Sequence, residues 1–297
     1  MDRDPESGTI FRSNVMKVVR PILYSLCISL LLTTASSAQE LKPEEIVTKH
    51  IDALGKKEVL SQVKTLFALG VSSFEATPGI KGGGKAMVVS DHSNLMWAIS
   101  LNSKTYPYEK IGYFGDKISL PFISSGERSL LGIFLNEHPR VLTEGLFGGP
   151  MSLRWPLIEL SERKSRIKSL GTKKIDGKKA YVLSYSPDGG GADEFTIKLY
   201  FDADTFQHVR TEYHREFSSA NPKFGQANQL ANSEITLTEN FADYKNTEGV
   251  MLPYTYSVVF SSNANTSSFK TTWGIKVSEY YINQQLAPDF FTFEPKK

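Results

Sequence analysis

In the stretch KLYFDADTFQHVRTEYHREF, residues 198–217, His208, Arg210, Glu212 and His214 stand at alternate positions. Alternate side chains of a β-strand share one face, so two imidazoles and a carboxylate in this order could ligate a metal such as zinc. Glu212 and His214 would lie about 6.7 Å apart at Cα, and a third ligand would have to come from a neighbouring strand. The same alternation also describes a strand with one wet face, because Val209, Thr211 and Tyr213 between them are mostly apolar. The row is taken as that wet face, and no metal ligand is assigned.

Other chemistry finds less support. GIKGGGKA, Gly79–Ala86, places Gly79, Gly84 and Lys85 as in a phosphate-binding loop, but has Ala86 where a magnesium-binding hydroxyl belongs. It runs into strand-like MVVS instead of a helix N-terminus, so it reads as a glycine-rich hairpin loop. Serines are plentiful, yet none sits in a G-x-S-x-G elbow. Asp202 and Asp204 could form an acid/base pair, but their place between two strands suits a turn. No catalytic residue and no cofactor is assigned, and the chain is not expected to be an enzyme.

The net charge of +2 over 297 residues makes no strong field, which removes the electrostatic case for a nucleic-acid partner. From Met16 the chain reads as a secretory signal peptide: Lys17 and Arg20, an apolar run from Ile22 to Leu32, then small residues ending at Ala38. That run is too short to span a hydrocarbon core of roughly 30 Å, so no permanent membrane span is expected. Cleavage is placed near Ala38. Residues 1–15 carry three acids, unlike a targeting segment, and Met16 is a possible true start. Cys27 is the one cysteine and Leu26 precedes it, which disfavours lipid anchoring there. The product, residues 39–297, would be periplasmic or secreted, with neither disulfide nor thiolate chemistry.

Within residues 41–63 a helix reads with Pro43 in its first turn, Ile46, Val47, Ile51 and Leu54 as an apolar stripe and Gly55 as its stop, followed by a short second turn of helix around Val59–Val63. Beyond it come short strands separated by turns such as Gly115-Asp116, Asp176-Gly177 and Asp202-Ala203-Asp204. The pattern predicts a mainly β (α+β) domain built on a single antiparallel curved sheet, closed or partly closed. Residues 125–149 interrupt it with two short amphipathic helices broken at Pro139, which carry Leu131, Phe134, Leu142 and Phe147. They either plug the open end of the sheet or cover a cavity as a lid.

The strands are rich in apolar faces. Phe67 and Leu69 alternate on the first strand, Trp97 and Ile99 share a face on the third, and Leu199 and Phe201 share another. Val209 and Tyr213, then Tyr254, Tyr256 and Val258, complete an inward set. Such a set is either a filled core or the wall of an apolar cavity for a lipid.

The stretches EEIVTKHIDALGKKEVLSQVKTLFALG, KKIDGKKAYVLSY, KLYFDADTFQHVRTEYH, FADYKNTEGVMLPYTY and DFFTFEPKK resemble bacterial exported proteins of the LolA-like lipoprotein carrier superfamily. The resemblance implies an unclosed β half-barrel, here a single domain over residues 39–297, covered by helices, whose concave apolar face holds acyl chains. In the carriers an arginine inside the cavity helps hold the lid; Arg154 in LRWPL is the nearest candidate. The expected function is noncovalent binding or carriage of a lipid or lipoprotein acyl group in the periplasm. The residues just named, from Phe67 to Val258, are the expected ligand-binding set. A non-catalytic envelope scaffold or sensor with a protein partner is the alternative, and a metal-dependent hydrolase is a more distant one.

Overall fold

Strands joined by tight turns fold here as two antiparallel meanders that meet at their ends. The computed structural model describes residues 41–77, 79–123, 126–189, 195–217, 233–264, 267–287 and 289–291. Leu41–Lys297 form one compact unit. The signal segment expected over residues 1–38, with its cleavage point and the alternative start at Met16, lies outside the described residues.

The first meander is β1 (Thr65–Ala76), β2 (Ile80–Asp91), β3 (Asn94–Ser100), β4 (Tyr108–Phe114) and β5 (Lys117–Ser119). The second is β6 (Arg166–Ile175), β7 (Lys178–Ser186), β8 (Thr196–Asp202), β9 (His208–Phe217), β10 (Ser233–Thr247), β11 (Val250–Ala264) and β12 (Ser267–Ile282). β1 pairs antiparallel with β12 from Leu66↔Ile282 to Ala76↔Thr271. Among the described residues this gives one twelve-stranded sheet in the order β5-β4-β3-β2-β1-β12-β11-β10-β9-β8-β7-β6. Strand twist curls so large a sheet, but its edge strands do not pair, so it stays an unclosed half-barrel.

Since β5 and β6 are opposite edges, the chain between them has to cross the sheet. It crosses the apolar concave face and carries α3 (Leu130–Glu137), α4 (Arg140–Thr143) and a 3-10 turn (Gly149–Met151). Leu131, Phe134, Leu142 and Phe147 bury there in one cluster with Trp97, Ile99, Leu199, Phe201, Tyr213, Tyr256 and Val258. Phe134 meets Phe260 at 5.3 Å between ring centroids, and Phe147 meets Trp97 at 6.2 Å. The insertion therefore fills the concave face as a plug. Two further helices, α1 (Pro43–Leu54) and α2 (Lys57–Leu60), precede the sheet. Ile46, Val47, His50 and Leu54 are the buried side of α1.

The structure corrects the face expected for four residues. On β1 the inward residues are Leu66 and Ala68, whereas Phe67 packs on the outer face with Val89, Met96 and Phe291, and Leu69 is 36% exposed. Both faces of β1 are covered by apolar groups, so hydrophobic alternation has no unique phase there. Val209 also lies outside, against Ala180, Val182 and Tyr200. The pairing of β8 with β9 shifts between Tyr200↔Arg210 and Phe201↔His208, and this bulge sets Val209 out of phase and turns His208 inward.

Two further segments are strands. Arg166–Ile175, rich in cations and mostly exposed, is the edge strand β6, a segment whose polarity hides its strand character. The glycine run is a strand and not a loop, because β2 pairs along its length with β1. A Cβ at Gly82 would stand 2.7 Å from the Leu101 carbonyl oxygen, and one at Gly84 2.4 Å from Ser100 Oγ, so only glycine admits the neighbouring strand this closely.

Gly70 lies opposite the bulge that Ser278 makes in β12, where an added Cβ would lie 2.1 Å from the Lys276 carbonyl oxygen. Replacing Gly70 with Ala should therefore cost about 1–3 kcal/mol through backbone displacement. Urea unfolding of the two proteins measures this, and an unchanged midpoint would show that the bulge accommodates the methyl group.

Candidate functional site

Among the described residues, an apolar pocket lies beside the plug. Its volume is about 610 Å³, and its walls come from α1 (Val47, Ile51, Leu54), the segment after the plug (Leu153, Trp155, Leu157, Ile158, Leu160) and the start of β11 (Val250, Leu252). Leu60, Val63 and Leu66 close it on the α2 and β1 side, while Glu44, Asp52, Lys57 and Glu159 stand among its polar lining. Small-molecule sites are commonly about 300–1,000 Å³ and mostly apolar with few polar groups, which this pocket matches.

Each wall is held by a specific contact. Pro43 starts α1 with a fixed φ and no N–H to satisfy, and Glu45 reaches back to accept the Lys42 backbone N–H at 2.9 Å. On the opposite wall, Ser90 Oγ donates to the Met151 carbonyl at 3.0 Å and accepts the Leu153 N–H at 3.1 Å. Arg154 turns away from the pocket, donating to the Gly115 carbonyl at 3.1 Å and pairing with Asp116 at 3.5 Å. It thereby ties the segment after the plug to the β4–β5 turn.

The two facing walls are joined through His50. The Trp155 indole N–H donates to His50 Nε2 at 3.1 Å, and His50 Nδ1 lies 3.0 Å from the Phe206 carbonyl. These partners define a neutral imidazole with its proton on Nδ1. Burial lowers its pKa to about 4, against a smaller opposing effect of the Phe206 bond. Phe201 and His208 pack behind it with ring centroids 4.9 and 6.1 Å away. His208 is also fully buried, lies 2.9 Å from Thr211 Oγ1 through Nε2, and is held well below its usual pKa first by desolvation and then by His50.

The polar row of β9 does not assemble a ligand set. His208 faces the core, Arg210 donates to Asn240 at 2.8 Å, Glu212 pairs with Lys198 at 3.2 Å, and His214 lies 3.3 Å from both Glu216 and Glu234. Among the described residues no group of three His, Cys, Asp or Glu side chains could hold a metal ion. Asp202 Oδ1 accepts the Asp204 and Thr205 N–H groups at 3.0 and 2.9 Å, a turn-capping geometry.

Of the residues expected to bind a ligand, Trp97, Ile99, Leu131, Phe134, Leu142, Phe147, Leu199, Phe201, Tyr213, Tyr256 and Val258 come together in the filled cluster, with Tyr254 packed against it. Phe67, Leu69 and Val209 lie on the outer face, and none of the expected residues lines the pocket. The pocket's own residues carried one sequence signal, the apolar stripe of α1. Nothing local marks Leu153 to Leu160 as their counterpart.

The chain is similar in structure to a LolA superfamily protein from Nitrosomonas europaea, at 13% identity and a TM-score of 0.45, covering 85% of this chain and 98% of that one. It is similar to a DUF1329 family protein from Desulfovibrio piger at 11% identity and a TM-score of 0.45, over 85% and 98% of the two chains. It is also similar to an outer membrane lipoprotein-sorting protein domain from Vibrio parahaemolyticus at 12% identity and a TM-score of 0.45, over 84% and 95%. No family model matches the sequence, and neither does any curated protein. Among the described residues no helix is long and apolar enough to cross a membrane.

A histidine held neutral by burial stabilises the fold fully above its unfolded pKa near 6.5, and that contribution is lost as pH falls toward about 4. At about 1.36 kcal/mol per unit the loss approaches 3 kcal/mol. Denaturation of wild type and His50→Gln between pH 7.5 and 4 should give stabilities that converge in acid as wild type loses this increment. Parallel curves would show that His50 is not the group taking up the proton.

Proposed function

We propose that this chain binds the acyl chain of a lipid or lipoprotein noncovalently, in the pocket between α1 and the segment after the plug, and catalyses no reaction. The apolar pocket of about 610 Å³, walled by Ile51, Leu54, Trp155 and Leu157, carries this reading. Burying about ten methylenes yields about 8 kcal/mol, from which association takes 4 kcal/mol or more. What remains suits a reversible carrier. The charged residues among the lining, Lys57 and Glu159 for example, give a head group water and charge to meet while the chain lies inside. The signal-like residues 16–38 support a periplasmic or secreted site of action, where acyl chains of envelope lipids are available.

A second reading is a non-catalytic envelope scaffold or sensor that contacts a protein partner. The filled concave face favours it, since a cavity there is not needed to hold the sheet together.

Titration of a fluorescent fatty-acyl probe tests the pocket. Ile51→Glu places a carboxylate on a half-buried pocket position without opening the core, and should weaken binding by about tenfold or more, the equivalent of 1.4 kcal/mol or more. Ile133→Glu, on the exposed side of α3, should bind as wild type does. Equal affinity of all three proteins would remove the pocket as the acyl site.

A further inference from the structure

The plug, Ser129–Gly148, contributes no strand to the sheet. Its own turns satisfy much of its backbone: Ile133 N–H donates to Ser129, His138 to Phe134, Glu144 to Arg140, Gly145 to Leu142 and Phe147 to Val141. What ties it to the sheet is side-chain packing and a small number of polar contacts. Two of these involve buried carboxylates, one at each end of the plug.

At the start, Ser129 caps α3 by accepting the Gly132 N–H at 2.8 Å and stands beside Glu109 of β4. Glu109, 2% exposed, accepts the Tyr106 hydroxyl as well, and Tyr106 in turn accepts the Trp273 indole N–H of β12 at 2.7 Å. At the other end, the Gly148 N–H donates to Glu239 Oε1 of β10 at 2.7 Å. The same oxygen accepts the Tyr256 hydroxyl of β11 at 2.5 Å, and Oε2 accepts the Tyr213 hydroxyl of β9 at 3.0 Å. Glu239 is fully buried.

The groups facing Glu239 are thus Tyr213, Tyr256 and the Gly148 backbone, with Tyr185 of β7 standing beyond Tyr213. Those facing Glu109 are Tyr106, Ser129 and the Lys110 backbone N–H. Hydroxyls and backbone N–H groups, not cations, make up both sets. A buried carboxylate in such company is costly to ionise, whereas the neutral acid can donate to one hydroxyl and accept from the others.

We propose that Glu109 and Glu239 are proton-dependent fasteners, which hold the plug over the concave face while they are protonated and let it lift when they ionise. Lifting withdraws Leu131, Phe134, Leu142 and Phe147 and uncovers Trp97, Tyr256 and Val258, an apolar face suited to an apolar ligand. Neither fastener lines the pocket beside α1, so this device stands whether or not that pocket binds an acyl chain. Burial pushes both carboxyls up to about 7, outweighing the hydrogen bonds that pull the other way. A carboxyl raised in this way contributes fully to the closed form below its unfolded value near 4.5, and the contribution is lost as pH rises through about 7. The plug is therefore locked in acid and loosened in mild alkali, the reverse of the dependence set by His50. Arg140, donating to the Asp188 carbonyl, and Arg163, donating to the Glu144 carbonyl, add contacts that involve neither fastener.

Hydrogen exchange followed by mass spectrometry on the full chain reads the device directly. After correction for intrinsic exchange, peptides from 129–148 should exchange at least about tenfold faster at pH 8.5 than at pH 6, the equivalent of one pKa unit. Peptides of β1 and β12 should stay protected at both. Glutamine imitates the neutral acid, so the Glu109→Gln/Glu239→Gln protein should keep its plug protected at both pH values. Equal protection of the wild-type plug at both pH values, or a pH dependence that survives in the double variant, would overturn the proposal. If the double variant does not fold, carbon-13 titration of labelled glutamate carboxyls in the wild type decides: midpoints near 7 for Glu109 and Glu239 support the fasteners, and midpoints in the ordinary carboxylate range exclude them.

Discussion

The antiparallel pairing of β1 with β12 joins strands from the two ends of the folded region, and the path of the rest of the chain depends on it. Once these strands lie side by side, the two meanders extend away from them in opposite directions, and β5 and β6 become the two edges of one sheet. Consecutive in sequence, these edge strands are as far apart as the sheet allows. The chain between them must cross, and the concave face is where its apolar residues leave water. The plug thus follows from topology, and its burial supplies the second layer that a one-sided sheet requires.

Packing alone would leave the plug's position loosely defined, because apolar contacts have little direction. Polar groups set it: Glu109 at Ser129, Glu239 at Gly148, Ser90 at Met151 and Leu153, and His50 at Trp155. Each is buried and each meets a partner on the crossing segment, so a displaced plug would leave polar groups unsatisfied. The pocket beside α1 is a by-product of this arrangement. The crossing segment is held at Gly148 and again at Trp155, and between these points and α1 the side chains do not fill the space.

Much of the architecture was legible. The stop at Gly55, the break at Pro139 and strands such as His208–Phe217 follow from local turn chemistry and alternation, and they occur where the sequence places them. Alternation failed where its assumptions did. On β1 the C-terminal segment covers Phe67 on the outer face, so apolar residues point both ways. On β9 a single extra residue at Val209 reverses the phase, and nothing in the types of the residues announces it. β6 carries no such signal, because an edge strand guarded by Arg166, Lys168, Lys173 and Lys174 lacks an apolar face to read. The expected binding residues were read as apolar and mostly as inward, and the choice between a plug and a lid over a cavity, open in the sequence, was decided by what packs against them.

What the sequence determined by itself is local: which segments are extended, where they turn, and which carry enough apolar surface to need a partner. These depend on backbone preference and on neighbours two to four positions away, which composition and spacing encode. The tertiary structure decided which partner each surface received. Leu131 and Phe134 became filling and not the wall of a cavity, and Trp155 met His50 across the pocket. Glu109 and Glu239 lost water without gaining a cation. These outcomes depend on contacts between residues far apart in the chain, fixed only when β1 finds β12.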